Sequence, residues 1–297
     1  MSHKETLPER LFWGKFLSLK SLVRLRKIQG TGEMSVVDSI AARAVALCLL
    51  AAAGAITPAR AMVGGAAPAA GGAGRSVVMI LGSHGTACTA TAIARDLLLT
   101  AAHCVQPGSD YKLADVWSAG APQLKDISRI ERDPQFDLKR LFGHLATADV
   151  ALAKLHQPLP EKIPSAPLDD ATSPAVAGDR IVVAGYGVTV RGDGRTGGTV
   201  RAATLIATGT PNTLQLRLFD PRTKGDSPGL GACAGDSGAP AFRDHDGTLA
   251  ILGVVSWSTG PKLTGGCGGL TGITPLIRYR SWIITAAQNL GSPLPAQ

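Results

Sequence analysis

Gly231-Ala-Cys-Ala-Gly-Asp-Ser-Gly-Ala-Pro240 is the stretch on which the reading of this chain turns. It sets Ser237 among glycines and small residues, in a turn where the backbone can approach a bound molecule closely. In such a turn the N–H groups of Gly235 and Ser237 point at one spot. Two converging N–H donors are what the oxyanion of an acyl-transfer intermediate requires. Taken alone, Gly-Asp-Ser-Gly fits a polar surface turn equally well.

Two upstream segments narrow the choice. In Leu98-Leu-Thr-Ala-Ala-His103-Cys104 a histidine follows an apolar run that reads as a buried strand, then a turn of small residues. In Ala148-Asp149-Val-Ala-Leu-Ala-Lys-Leu155 apolar residues alternate from Val150, the period of a half-buried strand, with Asp149 at its start. A single histidine or aspartate at a strand end is ordinarily structural. In the order His, Asp, Ser, each inside its own local signature, the three resemble the trypsin-like (chymotrypsin-fold) serine proteases.

The resemblance runs from about Met62 to Asn289. Ile127–Phe136 is similar to the segment leading to the family's aspartate. Val183-Ala-Gly-Tyr-Gly187 resembles the family's Gly-Trp-Gly strand end, with Tyr186 in place of Trp. Gly253-Val-Val-Ser-Trp-Ser258 resembles one wall of the specificity pocket, and Arg278–Asn289, with Trp282, the C-terminal helix. The implied fold is all-β: two packed six-stranded antiparallel β-barrels and a short C-terminal α-helix. Barrel one is expected over about 62–175, barrel two over about 176–275 and the helix over about 276–289.

The resemblance also implies roles. A serine hydroxyl is a weak nucleophile and needs a base within hydrogen-bond reach. His103 is the expected base and Ser237 the nucleophile. Asp149 is expected to hold the imidazole tautomer and stabilise the imidazolium, with Ser256 donating to Asp149. Gly235 and Ser237 would form the oxyanion hole. Asp236 would form a buried pair with the amine of Met62, because Met62-Val-Gly-Gly65 resembles the family's mature start. The specificity pocket is expected to include Gly231, Ala232, Ser256, Trp257, Ser258 and Gly272. Gly231 stands where trypsin-type members carry an acid, so a Lys or Arg side chain would bury its cation unpaired. The pocket should therefore favour uncharged side chains such as Leu, Met, Phe or Tyr, with the loop Thr259–Gly266 narrowing its entrance. Ala239, where the family has Gly, is a small departure in the nucleophile turn.

Composition agrees with a large, turn-rich β protein. The chain has 297 residues, enough for a sizeable core, with 36 Gly and 19 Pro between short segments rich in Val, Ile, Leu and Thr. Its formal net charge of +8 invites a nucleic-acid reading. Nine of the 30 Lys/Arg but only four of the 22 Asp/Glu lie in residues 1–61, so the remainder is only mildly basic. No basic run with interleaved aromatics occurs there, and no nucleic-acid partner is expected.

Five cysteines are present. Cys48 lies in an apolar segment expected to be removed; the other four permit three pairings. The family resemblance selects Cys88–Cys104 and Cys233–Cys267, which suits an oxidising compartment. Metal-ligand spacings such as Cys-x-x-Cys are absent from the sequence, and neither metal nor cofactor is expected.

Residues Val45–Ile56 form an apolar run too short to span a bilayer comfortably, preceded by Arg43 and followed by Ala59-x-Ala61, a signal-peptidase type of site. Residues 1–61 are thus expected to be a basic extension plus a leader, the leader being 34–61 if Met34 is the start. Leu11–Lys27 has the pattern of a basic amphipathic helix. The whole reads as a secreted or periplasmic, monomeric serine endopeptidase acting on protein or peptide substrates, without a stable membrane anchor once the leader is gone. The competing readings are a catalytically silent binding protein on the same fold and an esterase using the same triad.

Overall fold

The computed structural model describes residues 62–116, 123–143, 145–170, 172–210 and 212–295. The leader and His144 lie outside the described residues. The chain begins with a two-residue strand, β1 (Ala67–Pro68), followed by β2 (Val77–Gly82), β3 (Ala87–Ala94), β4 (Leu97–Thr100), β5 (Tyr111–Asp115), β6 (Gln123–Arg132) and β7 (Ala151–Leu155). Strands β2 to β7 close into an antiparallel barrel in the order β2-β3-β4-β7-β6-β5. A short helix, α1 (Leu138–Phe142), lies between β6 and β7, its first turn capped by the Asp137 carboxylate.

The second half repeats the scheme with β8 (Arg180–Gly185), β9 (Arg201–Thr208), β10 (Leu216–Phe219), β11 (Pro240–His245), β12 (Thr248–Ser258) and β13 (Leu270–Pro275). Their order is β8-β9-β10-β13-β12-β11, with β11 returning to β8, so this barrel also closes. Helix α2 (Arg280–Asn289) ends the fold. Among the described residues no helix is long and apolar enough to cross a membrane.

The apolar pattern divides into three packed clusters. In β4 the run Leu97-Leu-Leu99 is buried on both faces. Leu98 points into barrel one beside Val78, Ala90 and Leu113. Leu97 and Leu99 point the other way, into a core shared with Phe242, Val254, Leu276 and Ile283 of the second half. A strand with two buried faces cannot alternate, which is why this run reads as continuously apolar. Strand β9 buries Ala203, Leu205 and Ala207 in the barrel-two core and leaves the residues between them partly exposed, so its burial alternates along its length.

Residues 62–68 depart from the expected boundary. They precede barrel one in sequence but pack with barrel two: Met62 and Ala66 join its core, Val63 bridges Gly231, and β1 pairs with β9. Met62 fills interior space of barrel two, and β10 pairs β9 only at Ile206–Thr208, which leaves the Arg201–Ala202 end of that side for β1.

Candidate active site

The site lies where the two barrels meet. His103 follows β4 in a 3-10 turn, Ala102–Val105, fixed by the Cys104 N–H donating to Ala101 O at 3.1 Å. Ala101, Ala102 and Cys104 of this segment are fully buried, while His103 keeps part of its ring exposed. Asp149, also fully buried, stands just before β7, the strand that pairs with β4. The pairing brings the two together: His103 Nδ1 lies 2.7 Å from Asp149 Oδ2, and the His103 backbone N–H donates to Asp149 Oδ1 at 2.9 Å. Ser256 Oγ donates to Asp149 Oδ2 at 2.5 Å. Ser256 occupies a bulge in β12, between Val255 and Trp257, where the register to β13 shifts. Such a bulge re-aims one side chain, here across the barrel interface.

Ser237 is half-buried in the turn before β11. The Asp236 N–H donates to Cys233 O at 3.0 Å and the Ala239 N–H to Asp236 O at 2.9 Å, winding residues 233–239 tightly. Gly235 has φ +94°, and a Cβ there would lie 2.9 Å from Gly187 Cα, so only glycine fits. Among the described residues neither the Gly235 N–H nor the Ser237 N–H is engaged in a hydrogen bond. Ser237 Oγ makes none with His103, a contact that commonly tightens only around substrate.

Two disulfides brace these turns. Cys88–Cys104 ties β3 to the His103 turn, and Cys233–Cys267 ties the Ser237 turn to the segment before β13.

Asp236 is fully buried and accepts backbone N–H groups from Gly187 and Cys233, both at 2.9 Å. Burial pushes its carboxyl up to about 7 despite those two donors. Among the described residues it has no cationic partner. Met62 is equally buried, in the core that also holds Ala232 and Ala239 on either side of the turn.

One expected pocket residue is displaced by its neighbour. In the β12–β13 register Trp257 pairs with Gly272 and Ser258 with Thr271. Paired residues share a face, so Gly272 lies beneath the indole: a Cβ on it would come within 2.0 Å of the Trp257 ring. Thr271 faces the expected pocket instead. Its Oγ1 accepts the Ala232 N–H at 2.9 Å, and it would sit 3.3 Å from a Cβ on Gly231. The register thus sets Thr271, not Gly272, against Gly231, an arrangement that the sequence pattern hides because the bulge at Ser256 resets the alternation. Ser258 Oγ donates to Gly266 O at 3.2 Å, holding the loop Thr259–Gly266 beside it. Gly231, Ala232, Ser258 and Thr271 bring no charge.

Among the described residues two groups bring three potential metal ligands together. Cys88, His103 and Cys104 form one, but both sulfurs are already joined in a disulfide. Asp169, Asp170 and His245 form the other, where Arg243 lies 2.7 Å from the Asp169 carboxylate and supplies a cation already. His84, His156 and His245 are exposed.

Comparison with known proteins agrees with this geometry. The family model described as Trypsin matches residues 62–283. The chain is also 24% identical over 220 residues to snake venom serine protease rhinocerase 4 of Bitis rhinoceros, a match covering 70% of this chain and 81% of that protein. A histidine–aspartate pair and a serine turn meeting between two closed barrels, together with a match over most of the chain, place this protein in the trypsin family of serine proteases.

Proposed function

We propose that this protein is a secreted serine endopeptidase that cleaves peptide bonds through an acyl-enzyme on Ser237. The observation that carries the reading is the convergence of His103 Nδ1, the His103 N–H and Ser256 Oγ on the Asp149 carboxylate, beside a turn whose Gly235 and Ser237 N–H groups are unengaged. His103 Nε2 accepts the Ser237 proton as Oγ attacks the scissile carbonyl carbon. The two N–H groups receive the oxyanion. His103 returns the proton to the leaving amine, whose bond to the carbonyl carbon breaks. Water, deprotonated by the same imidazole, then releases the acid and restores Ser237.

The substrate residue before the cleaved bond is uncharged in this reading. Gly231, Ala232, Ser258 and Thr271 surround its expected place, and a buried Lys or Arg would find no anion among them. Removal of the leader after Ala61 frees the Met62 amine, which pairs with Asp236. The buried carboxylate with two N–H donors and, among the described residues, no cation supports this step, because an unpaired buried charge is strongly unfavourable. The leader itself directs the chain to an oxidising compartment.

A fluorophosphonate probe tests the reading, with peptide mapping and a peptide-library cleavage profile. A phosphonyl adduct on Ser237, together with cleavage after uncharged residues, is expected. No adduct would leave a silent binding protein; an adduct with turnover of esters alone would leave an esterase. N-terminal sequencing of the active form should read Met-Val-Gly-Gly, and a start at Ser76 would overturn activation by leader removal.

A further inference from the structure

We propose that Thr89 is a positioning residue, a latch by which barrel one sets the shape of the nucleophile turn carried by barrel two; this rests on Ser237 being the nucleophile. Thr89 lies in β3, immediately after Cys88, and is fully buried. Its backbone N–H donates to Ser237 O at 2.9 Å. Its Oγ1 donates to Gly235 O at 2.8 Å and accepts the Tyr186 N–H at 3.0 Å. Its own carbonyl accepts Thr100 Oγ1 at 2.8 Å. One residue of barrel one therefore holds both carbonyls that bracket Asp236.

The placement matters because of what those carbonyls control. Gly235 O fixes the plane of the peptide leading into Asp236, and Ser237 O fixes the backbone just beyond the nucleophile. Gly235, at φ +94°, is the residue in the turn with the most conformational freedom to lose. Its N–H is one of the two donors assigned to the oxyanion. An outside restraint on its carbonyl keeps that donor aimed before substrate arrives, and preorganised donors are what stabilise developing charge. Gly238 lets the latch close: a Cβ there would lie 2.3 Å from Thr89 O and 2.2 Å from Thr100 Oγ1.

The same strand reaches the base. Cys88 is bonded to Cys104, the residue after His103. β3 thus ties the His103 turn covalently and the Ser237 turn by hydrogen bonds. Base and nucleophile come from different barrels, and Thr89 is the point where their relative position is held from one side.

Thr89→Val keeps the shape and removes the hydroxyl, leaving Gly235 O and the Tyr186 N–H without that partner. The expected result is a kcat lower by roughly tenfold to a hundredfold, less than the loss of a direct oxyanion donor, with KM within about threefold. Affinity for a peptide aldehyde, which forms a tetrahedral adduct, should fall in parallel with kcat. Thr89→Ser restores the hydroxyl and should recover most of both losses. If the Val variant does not fold, Thr89→Ala against Thr89→Ser gives the same comparison. Unchanged kcat in Val or Ala, or a Ser variant as impaired as they are, overturns the latch. Phosphonylation of wild-type Ser237 is measured alongside. Its absence overturns the nucleophile assignment, and the latch with it. A labelled wild type with an equally reactive Val variant overturns the latch alone.

Discussion

Ser256 Oγ donates to Asp149 Oδ2 at 2.5 Å, on the same oxygen that His103 Nδ1 meets at 2.7 Å. A strand of barrel two thereby helps to orient a carboxylate of barrel one. Removing one of three donors from a buried carboxylate costs about 1.5–3 kcal/mol. Ser256→Ala should therefore lower kcat roughly tenfold to a hundredfold with KM nearly unchanged. A rise in KM with kcat intact would make Ser256 a pocket residue instead. Steady-state kinetics on one peptide substrate separates the two.

Ser237→Ala and His103→Ala should each lower kcat by several orders of magnitude, with the melting temperature almost unmoved. The double variant should be no worse than either single one, because nucleophile and base act as a unit. Losses that multiply in the double variant would show two independent contributions.

Thr271 supplies the clearest test of specificity. Its side chain stands against the Gly231 and Ala232 backbone and takes space that Gly272 was expected to leave open. Thr271→Ser keeps the hydrogen bond to the Ala232 N–H and removes a methyl group. The preference for Phe or Tyr over Ala before the cleaved bond should rise roughly fivefold to tenfold. Lys and Arg should remain disfavoured in both proteins. An unchanged profile would place the substrate side chain away from Thr271.

Under the proposed activation, Asp236 makes the pH behaviour depend on whether residue 61 is still attached. With residue 61 still attached there is no free amine, and the folded carboxyl, at about 7, lies well above an unfolded aspartate near 3.9. The folded chain then binds more protons than the unfolded chain between those values. Its stability falls as pH rises from about 4 to about 7 and levels off above. Asp236→Asn should remove that component, so its melting temperature should gain on the parent across this window. In the chain starting at Met62 the same substitution should abolish activity. There the paired amine should titrate above its ordinary 7.7–8.0, so activity should decline in the alkaline range. Thermal melts on leader-bearing Ser237→Ala protein measure the first effect without self-cleavage.

Asp96 gives the opposite sign. Its carboxylate meets Lys154 Nζ at 2.6 Å and accepts Ser292 Oγ at 2.6 Å, tying barrel one to the segment after α2. Burial raises its pKa, but Lys154 and Ser292 together outweigh burial and hold it below the usual value. Its contribution to stability is present above pH 4 and is lost as pH falls through the lowered value. Asp96→Asn should lower the melting temperature at pH 6, and the difference should shrink towards pH 2. A constant difference would mean the residue acts through packing alone.

The family, the all-β class and the presence of two barrels were legible because their signals are local. Alternation from Val150 along β7, the continuous apolar run of β4 and the glycine-rich serine turn each follow from neighbouring residues and the backbone geometry they allow. The three segments around His103, Asp149 and Ser237 were found the same way. Two features were not local. Residues 62–68 join barrel two, where Met62 enters the core and β1 pairs with the end of β9 that β10 leaves unpaired. Thr89 and Ser237 lie far apart in sequence, and nothing near either one announces the other.

By itself, then, the sequence determined that the runs before His103 and after Asp149 become strands, where the serine turn falls and which family the chain resembles. The tertiary structure alone decided which faces meet. A bulge at Ser256 turns that hydroxyl onto Asp149 and places Thr271, rather than Gly272, against Gly231. In a strand of period two, a shift of one residue exchanges every side chain between faces. That shift is set by how β12 pairs with β13, so it becomes visible only once the two strands have met.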